Sequence, residues 1–182
     1  DDGDIDVLSA AMWDEDINLY LNDGSQNFSY LLVGRLQQPT SVYAIDLDGD
    51  GDMDVLSSSR YEYNIYWFEN NGSESFTTKE IKKVNYNNIS GHSSIYATDL
   101  DGDGDIDALS TSRSDNSVLW YENNGSESFT EHSITTNAST ANSVYTIDVD
   151  GDGDMDVLSA SSGDNKIAWY ENNGSESFTE HS

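Results

Sequence analysis

Asp46-Leu47-Asp48-Gly49-Asp50-Gly51-Asp52-Met53-Asp54 recurs almost unchanged at residues 99–107 and again at residues 148–156, and this repetition governs how the chain is read. A truncated copy, Asp2-Gly3-Asp4-Ile5-Asp6, opens the chain. Trp67, Trp120 and Trp169 keep the spacing of the long copies, as do Phe76, Phe129 and Phe178. Four units follow, approximately residues 1–40, 41–93, 94–142 and 143–182, the first and last partial.

Within a unit the pattern has a period of two, which predicts strands. Residues 41–46 alternate into a first strand, 55–59 form a second and 64–69 a third, with a fourth starting near Phe76. The third strand places Ile65 and Trp67 on one face and Tyr66 and Phe68 on the other. Both faces are therefore apolar, as in a strand held between two neighbouring sheets. Asn70-Asn71-Gly72-Ser73 supplies a hairpin signal, because Asn-Gly tolerates the positive φ angles of a tight turn. Four antiparallel strands per unit predict an all-β chain of tandem propeller-type blades that stack to bury their faces. Unit one departs from the pattern, with Leu19 in the Trp column and no first strand. So few blades predict an incomplete ring, or one completed by other chains.

The Asp loops have the chemistry of a calcium cage. Calcium takes six to eight oxygens, and a D-x-D-x-D-G-x-x-D loop offers carboxylates at positions one, three, five and nine, a carbonyl at seven and a glycine bend at six. The candidate ligands are Asp46, Asp48, Asp50, Asp52 and Asp54; Asp99, Asp101, Asp103, Asp105 and Asp107; and Asp148, Asp150, Asp152, Asp154 and Asp156. An EF-hand needs Glu at position twelve and flanking helices. Here position twelve is Ser57, Ser110 or Ser159, and strands flank each loop. Magnesium prefers a stricter octahedral shell, and zinc prefers His or Cys. Asp2, Asp4 and Asp6 make a partial site, either an empty remnant or one completed by another chain.

These loops between strands, followed by Val-Leu-Ser and an aromatic strand, resemble the FG-GAP or VCBS repeats of integrin α-subunits and many bacterial secreted proteins. The resemblance covers essentially the whole chain. It implies calcium on one rim of a β-propeller, usually seven-bladed, with roles in adhesion, matrix and cell-surface attachment.

Composition sets the remaining limits. Seven basic and thirty-five acidic side chains leave a net charge of −28, which opposes compaction unless cations neutralise it. That sign excludes nucleic acid as a partner. No apolar stretch is long enough for a membrane helix, so membrane insertion is not expected. The chain lacks cysteine, which removes disulfides and thiolate chemistry. It opens on Asp1-Asp2-Gly3 without a basic, apolar leader, which reads as a mature or excised piece of a longer precursor.

Nothing has the look of an active site. His132 and His181 share a repeat column, His92 stands alone, and no serine sits in a nucleophile elbow. The Trp column reads as core, whereas Trp13, Tyr61 and Tyr63 are candidates for an exposed binding rim. N-x-S sequons at Asn27, Asn71, Asn88, Asn124, Asn137 and Asn173 are glycosylation acceptors where the source cell has the machinery. The expected function is a non-enzymatic, extracellular, calcium-binding module for adhesion or self-assembly, forming a homo-oligomer or head-to-tail fibre. The competing readings are a lectin-like propeller with a glycan ligand, and an accessory domain of a secreted polysaccharide-active enzyme.

Overall fold

The computed structural model describes residues 3–61, 64–82 and 91–182. Fifteen strands and no helix occupy these residues, in four antiparallel sheets taken in chain order. The first sheet has three strands, β1 (Val7–Ala11), β2 (Asp16–Asn22) and β3 (Phe28–Arg35). The second runs β4 (Pro39–Ile45), β5 (Asp54–Ser59), β6 (Ile65–Asn70) and β7 (Phe76–Lys82). The third contains β8 (His92–Thr98), β9 (Asp107–Ser112), β10 (Ser117–Asn123) and β11 (Phe129–Thr135). The fourth contains β12 (Ala141–Ile147), β13 (Asp156–Ser161), β14 (Lys166–Asn172) and β15 (Phe178–His181). The sheets stack as successive blades and do not close into a ring among the described residues. No helix there is long and apolar enough to cross a membrane.

The second strand of each middle blade carries no outward polar face. Every residue of β5 and of β9 is buried, because a blade lies on each side of it. Leu47, Ile65 and Trp67 of the second blade pack on Ala97, Ala108 and Tyr121 of the third. The same columns recur one interface later as Leu100, Val118 and Trp120 against Val157 and Tyr170. Trp67 and Trp120 are thus core residues, 2% and 1% exposed. Above each indole stands the residue one repeat column along: Lys79 lies 4.2 Å from the Trp67 ring, His132 stacks on Trp120 at 4.6 Å and His181 on Trp169 at 4.4 Å. Lys79 also bridges Glu69 and Glu127 of the next blade at 2.9 and 2.7 Å. His132, with Glu122 at 2.6 Å and Glu176 beside it, fills the same inter-blade position.

The turn between third and fourth strands differs from the expected tight hairpin. Five residues, 71–75, connect β6 to β7, closed by Asn71 N–H donating to Ser75 O at 3.1 Å. The left-handed residues are Gly72 and Glu74, not Asn71. The asparagines act through their side chains instead, Asn70 Oδ1 accepting from Gly72 N–H and Asn71 Oδ1 from Ser73 N–H. Gly72 is needed for space as well as for φ, since a Cβ there would lie 2.4 Å from Asp52 Oδ2.

The last asparagine of the third strand also joins blades. Asn172 Nδ2 donates to Met155 O at 3.2 Å in its own blade and to Leu100 O at 3.1 Å in the preceding one. Its Oδ1 accepts from Gly174 N–H at 3.2 Å. Asn172→Ala leaves these buried groups unpaired, and we expect a loss of about 2–3 kcal/mol in chemical denaturation. A loss below the error of the fit would show that the bridge contributes nothing.

Candidate metal centres

Each Asp loop joins the first strand of a blade to the second, so the three loops lie along one rim. The backbone is wound round the carboxylate at position one. Asp46 Oδ1 accepts from Gly49 N–H at 2.8 Å and Oδ2 from Gly51 N–H at 3.0 Å. Asp48 and Asp50 each accept from the N–H two residues on. Gly51 takes φ +96°, and a Cβ there would meet nothing within 4 Å, so the glycine is required by conformation and not by crowding. The second and third loops repeat these bonds at Asp99 and Asp148.

Among the described residues three groups of aspartates converge, with carboxylate oxygens within 4.8 Å of one another, and could hold a metal ion: Asp46, Asp48 and Asp50; Asp99, Asp101 and Asp107; and Asp148, Asp150 and Asp156. The groups draw on positions one, three and five in the first loop and one, three and nine in the others. Asp103 and Asp152 keep the position-five bond to the following Asp N–H. Position seven behaves differently. The carboxylates of Asp52, Asp105 and Asp154 turn away to the glycine of their own blade's third-to-fourth strand turn. Their backbone carbonyls remain the groups that the loop pattern assigns to an ion.

Position nine is the buried end of the site. Asp54, Asp107 and Asp156 are each 0% exposed. Asp54 accepts from Asn70 N–H at 2.7 Å and Leu47 N–H at 3.2 Å. Burial pushes Asp54 up to about 6 and Asp107 to about 7, against the hydrogen bonds that favour their charged forms. Burial and neighbouring carboxylates raise Asp48 and Asp101 as well. The indole N–H groups of Trp67 and Trp120 are buried without a hydrogen bond of ordinary geometry. Each still lies near enough to Asp54 or Asp107 to favour the ionised carboxylate. Converging oxygens, all hard donors and partly desolvated, fit a cation and repel one another without it.

The first unit keeps only the end of the motif. Asp6 Oδ1 accepts from Asn22 N–H at 2.8 Å, as Asp54 does from Asn70, and Asp4 stands against Gly24 as Asp52 does against Gly72. Asp2 lies outside the described residues, and so do Tyr63 and the Asn88 sequon. Trp13 and Tyr61 are exposed, as expected of rim residues. Asn27, Asn71, Asn124, Asn137 and Asn173 all lie on turns or loops outside the strands. Asn70, Asn123 and Asn172, which fasten position nine to the third strand, do not stand out in the sequence as site residues. Their signal is the Asn that ends every third strand ahead of Asn-Gly or Asp-Gly.

The fold has relatives among solved structures. An Agrocybe aegerita lectin, described for its specific recognition of non-reducing terminal N-acetylglucosamine, superposes with a TM-score of 0.65 at 18% identity, covering 97% of this chain and 48% of the lectin. BBS1N in complex with ARL6DN, soaked with lead, gives 0.53 at 12% identity, covering 96% of this chain and 55% of the other. The chain thus spans about half the length of each, and the likeness concerns fold alone. A sequence comparison with curated proteins found no match. The FG-GAP-like repeat model matches four times, over residues 1–57, 46–110, 99–159 and 148–182. From end to end, therefore, the chain belongs to the FG-GAP-like repeat family.

Proposed function

We propose that this chain is a non-enzymatic, extracellular calcium-binding repeat module in which Ca²⁺ stiffens the Asp loops and the blades serve adhesion or self-assembly. One observation carries the reading: a group of three converging carboxylates recurs three times along one rim, the first of each already wrapped by backbone N–H groups of its own loop. Asp, carbonyl and water oxygens are calcium's donors, and extracellular modules of this kind have dissociation constants of roughly 10⁻⁴–10⁻³ M. Calcium outside cells is concentrated enough to fill them.

Assembly is supported by the outermost faces. Ile65 and Val118 are buried by the following blade, whereas Ile167 in the same column is 77% exposed. At the other end Val7, Phe28 and Tyr30 are exposed on the first blade. These are matching halves of a blade interface, able to take a further blade of the same kind, whether from a longer form of this chain or from a second copy. Calorimetric titration combined with light scattering tests both parts. Three calcium ions per chain are expected, falling to two in Asp101→Asn, with particle size increasing only in calcium. Failure to bind calcium at millimolar concentration would sink the reading, and calcium binding by a chain that stays monomeric would remove assembly from it.

The lectin likeness supports a second reading, a glycan-binding propeller. A glycan array read in calcium and in chelator separates the two.

A further inference from the structure

The opposite end of the blades has a different electrostatic character. There the first strand of each blade begins and the second ends, and a cavity of about 510 Å³ is lined by Met12, Thr40, Arg60, His92, Arg113 and Asn142, among others. Among the described residues that line it, none is acidic. Cavities near the Asp loops are lined by several carboxylates instead, for example Asp48, Asp105 and Glu127.

The two arginines stand apart from the other cations. Arg35 pairs with Asp16, Lys79 with Glu69 and Glu127, Lys82 with Glu131, and Lys166 with Glu180. Among the described residues the guanidinium groups of Arg60 and Arg113 form no ion pair, in a chain of net charge −28. They occupy one repeat column, which holds Met12 in the first blade and Ser162 in the fourth. Two unpaired like charges on one concavity repel each other unless an anion lies between them.

The backbone that carries Arg60 is fixed. Arg60 N–H donates to Gln38 O at 3.0 Å, and Gly91 N–H donates to Arg60 O at 2.8 Å. A Cβ at Gly91 would fall 2.5 Å from that oxygen, so the segment is held close to Arg60. Around the arginines the walls are short and polar. Thr40 Oγ1 donates to His92 O at 2.9 Å, and Asn142 Nδ2 donates to Ser162 Oγ at 2.8 Å.

We propose that this cavity is a binding site for a small oxyanion-bearing solute, a carboxylate or sulfate group held by Arg60 and Arg113. The guanidinium fork matches such groups in two-point contact. The volume suits a ligand of sugar size, and hydroxyl and amide walls suit a sugar's hydroxyls better than an apolar chain. The site is independent of the Asp loops and does not rest on calcium binding.

Titration by NMR of the calcium-loaded chain with galacturonate, galactose and low-millimolar sulfate tests it. Galacturonate is expected to shift amides around Gly91 and Asn142, to weaken with added salt and to lose about tenfold in affinity for each arginine replaced in Arg60→Gln and Arg113→Gln. Galactose is expected to bind at least that much more weakly than galacturonate. Preference for galacturonate over sulfate assigns the site to an acidic sugar, and equal or better binding of sulfate assigns it to the free ion. Both outcomes support an oxyanion site. No binding by either anion, or binding unchanged in the double variant with an unaltered melt, would overturn it.

Discussion

Saturating calcium is expected to raise the melting temperature of this chain by roughly 8–16 °C over the same protein in chelator. A site at tenfold excess over its dissociation constant favours the folded state by about 1.4 kcal/mol, and three such sites contribute about 4 kcal/mol. For a domain of this size each kcal/mol moves the midpoint by about 2–4 °C. Electrostatics acts in the same direction. Three bound ions change the net charge from −28 to −28 + 6 = −22, and they do so where the carboxylates are most crowded. Magnesium at equal concentration is expected to give a far smaller shift, because these loops supply a flexible oxygen shell in place of a strict octahedron. A scanning calorimetry trace that is the same in calcium and in chelator would remove calcium from the account. The replacement Asp101→Asn is expected to take away about one third of the calcium-dependent increment while leaving the chelator trace nearly unchanged.

The blades are legible in the sequence because repetition multiplies a weak signal. One run such as Ile65-Tyr66-Trp67-Phe68 is ambiguous by itself. Its counterparts, residues 118–121 and 167–170, keep the Trp in register and reach Asn-Asn-Gly-Ser at the same distance, and together they are not. Two outcomes do not follow from alternation and turn signals alone. Ile167 stands in the same repeat column as Val118, two residues before the Trp, and yet is exposed, because burial of a blade face is decided by the next blade. The turn departs from the tight hairpin for a local reason: Asn71 uses its Oδ1 to cap Ser73 N–H and leaves the left-handed conformation to Gly72 and Glu74.

The Asp loops are legible in position, but the division of labour among their carboxylates is not. Spacing identifies five aspartates per loop, and it offers no means of distinguishing the half-buried Asp52 arm, which supports the neighbouring turn, from Asp54, which is wholly buried. That distinction depends on β5 and β6 enclosing position nine. The arginine cavity is not visible in the sequence at all. Arg60 and Arg113 read as ordinary surface cations until the start of β8 and the end of β9 are brought beside the start of β4.

Acid is expected to act in opposite directions on the two forms of the protein. In chelator, Asp54 and Asp107 hold protons up to about 6 and about 7, against 3.8 as the ordinary value. Between pH 4 and pH 7 the folded chain therefore binds more protons at these positions than the unfolded chain does. Stability must then rise as pH falls. Each group contributes a slope of up to about 1.4 kcal/mol per pH unit, so lowering the pH from 7.5 to 5.5 gains about 2–3 kcal/mol for the pair. With calcium bound the sign reverses. The ion holds the carboxylates ionised below their unfolded values, protons compete with it, and stability is lost as the solution becomes more acidic. Melting curves in calcium and in chelator should converge toward pH 5 and diverge toward pH 7.5. A chelator curve that falls on acidification would show that position nine is solvated rather than buried. Parallel curves would show that calcium, wherever it binds, does not reach the carboxylates enclosed between the second and third strands.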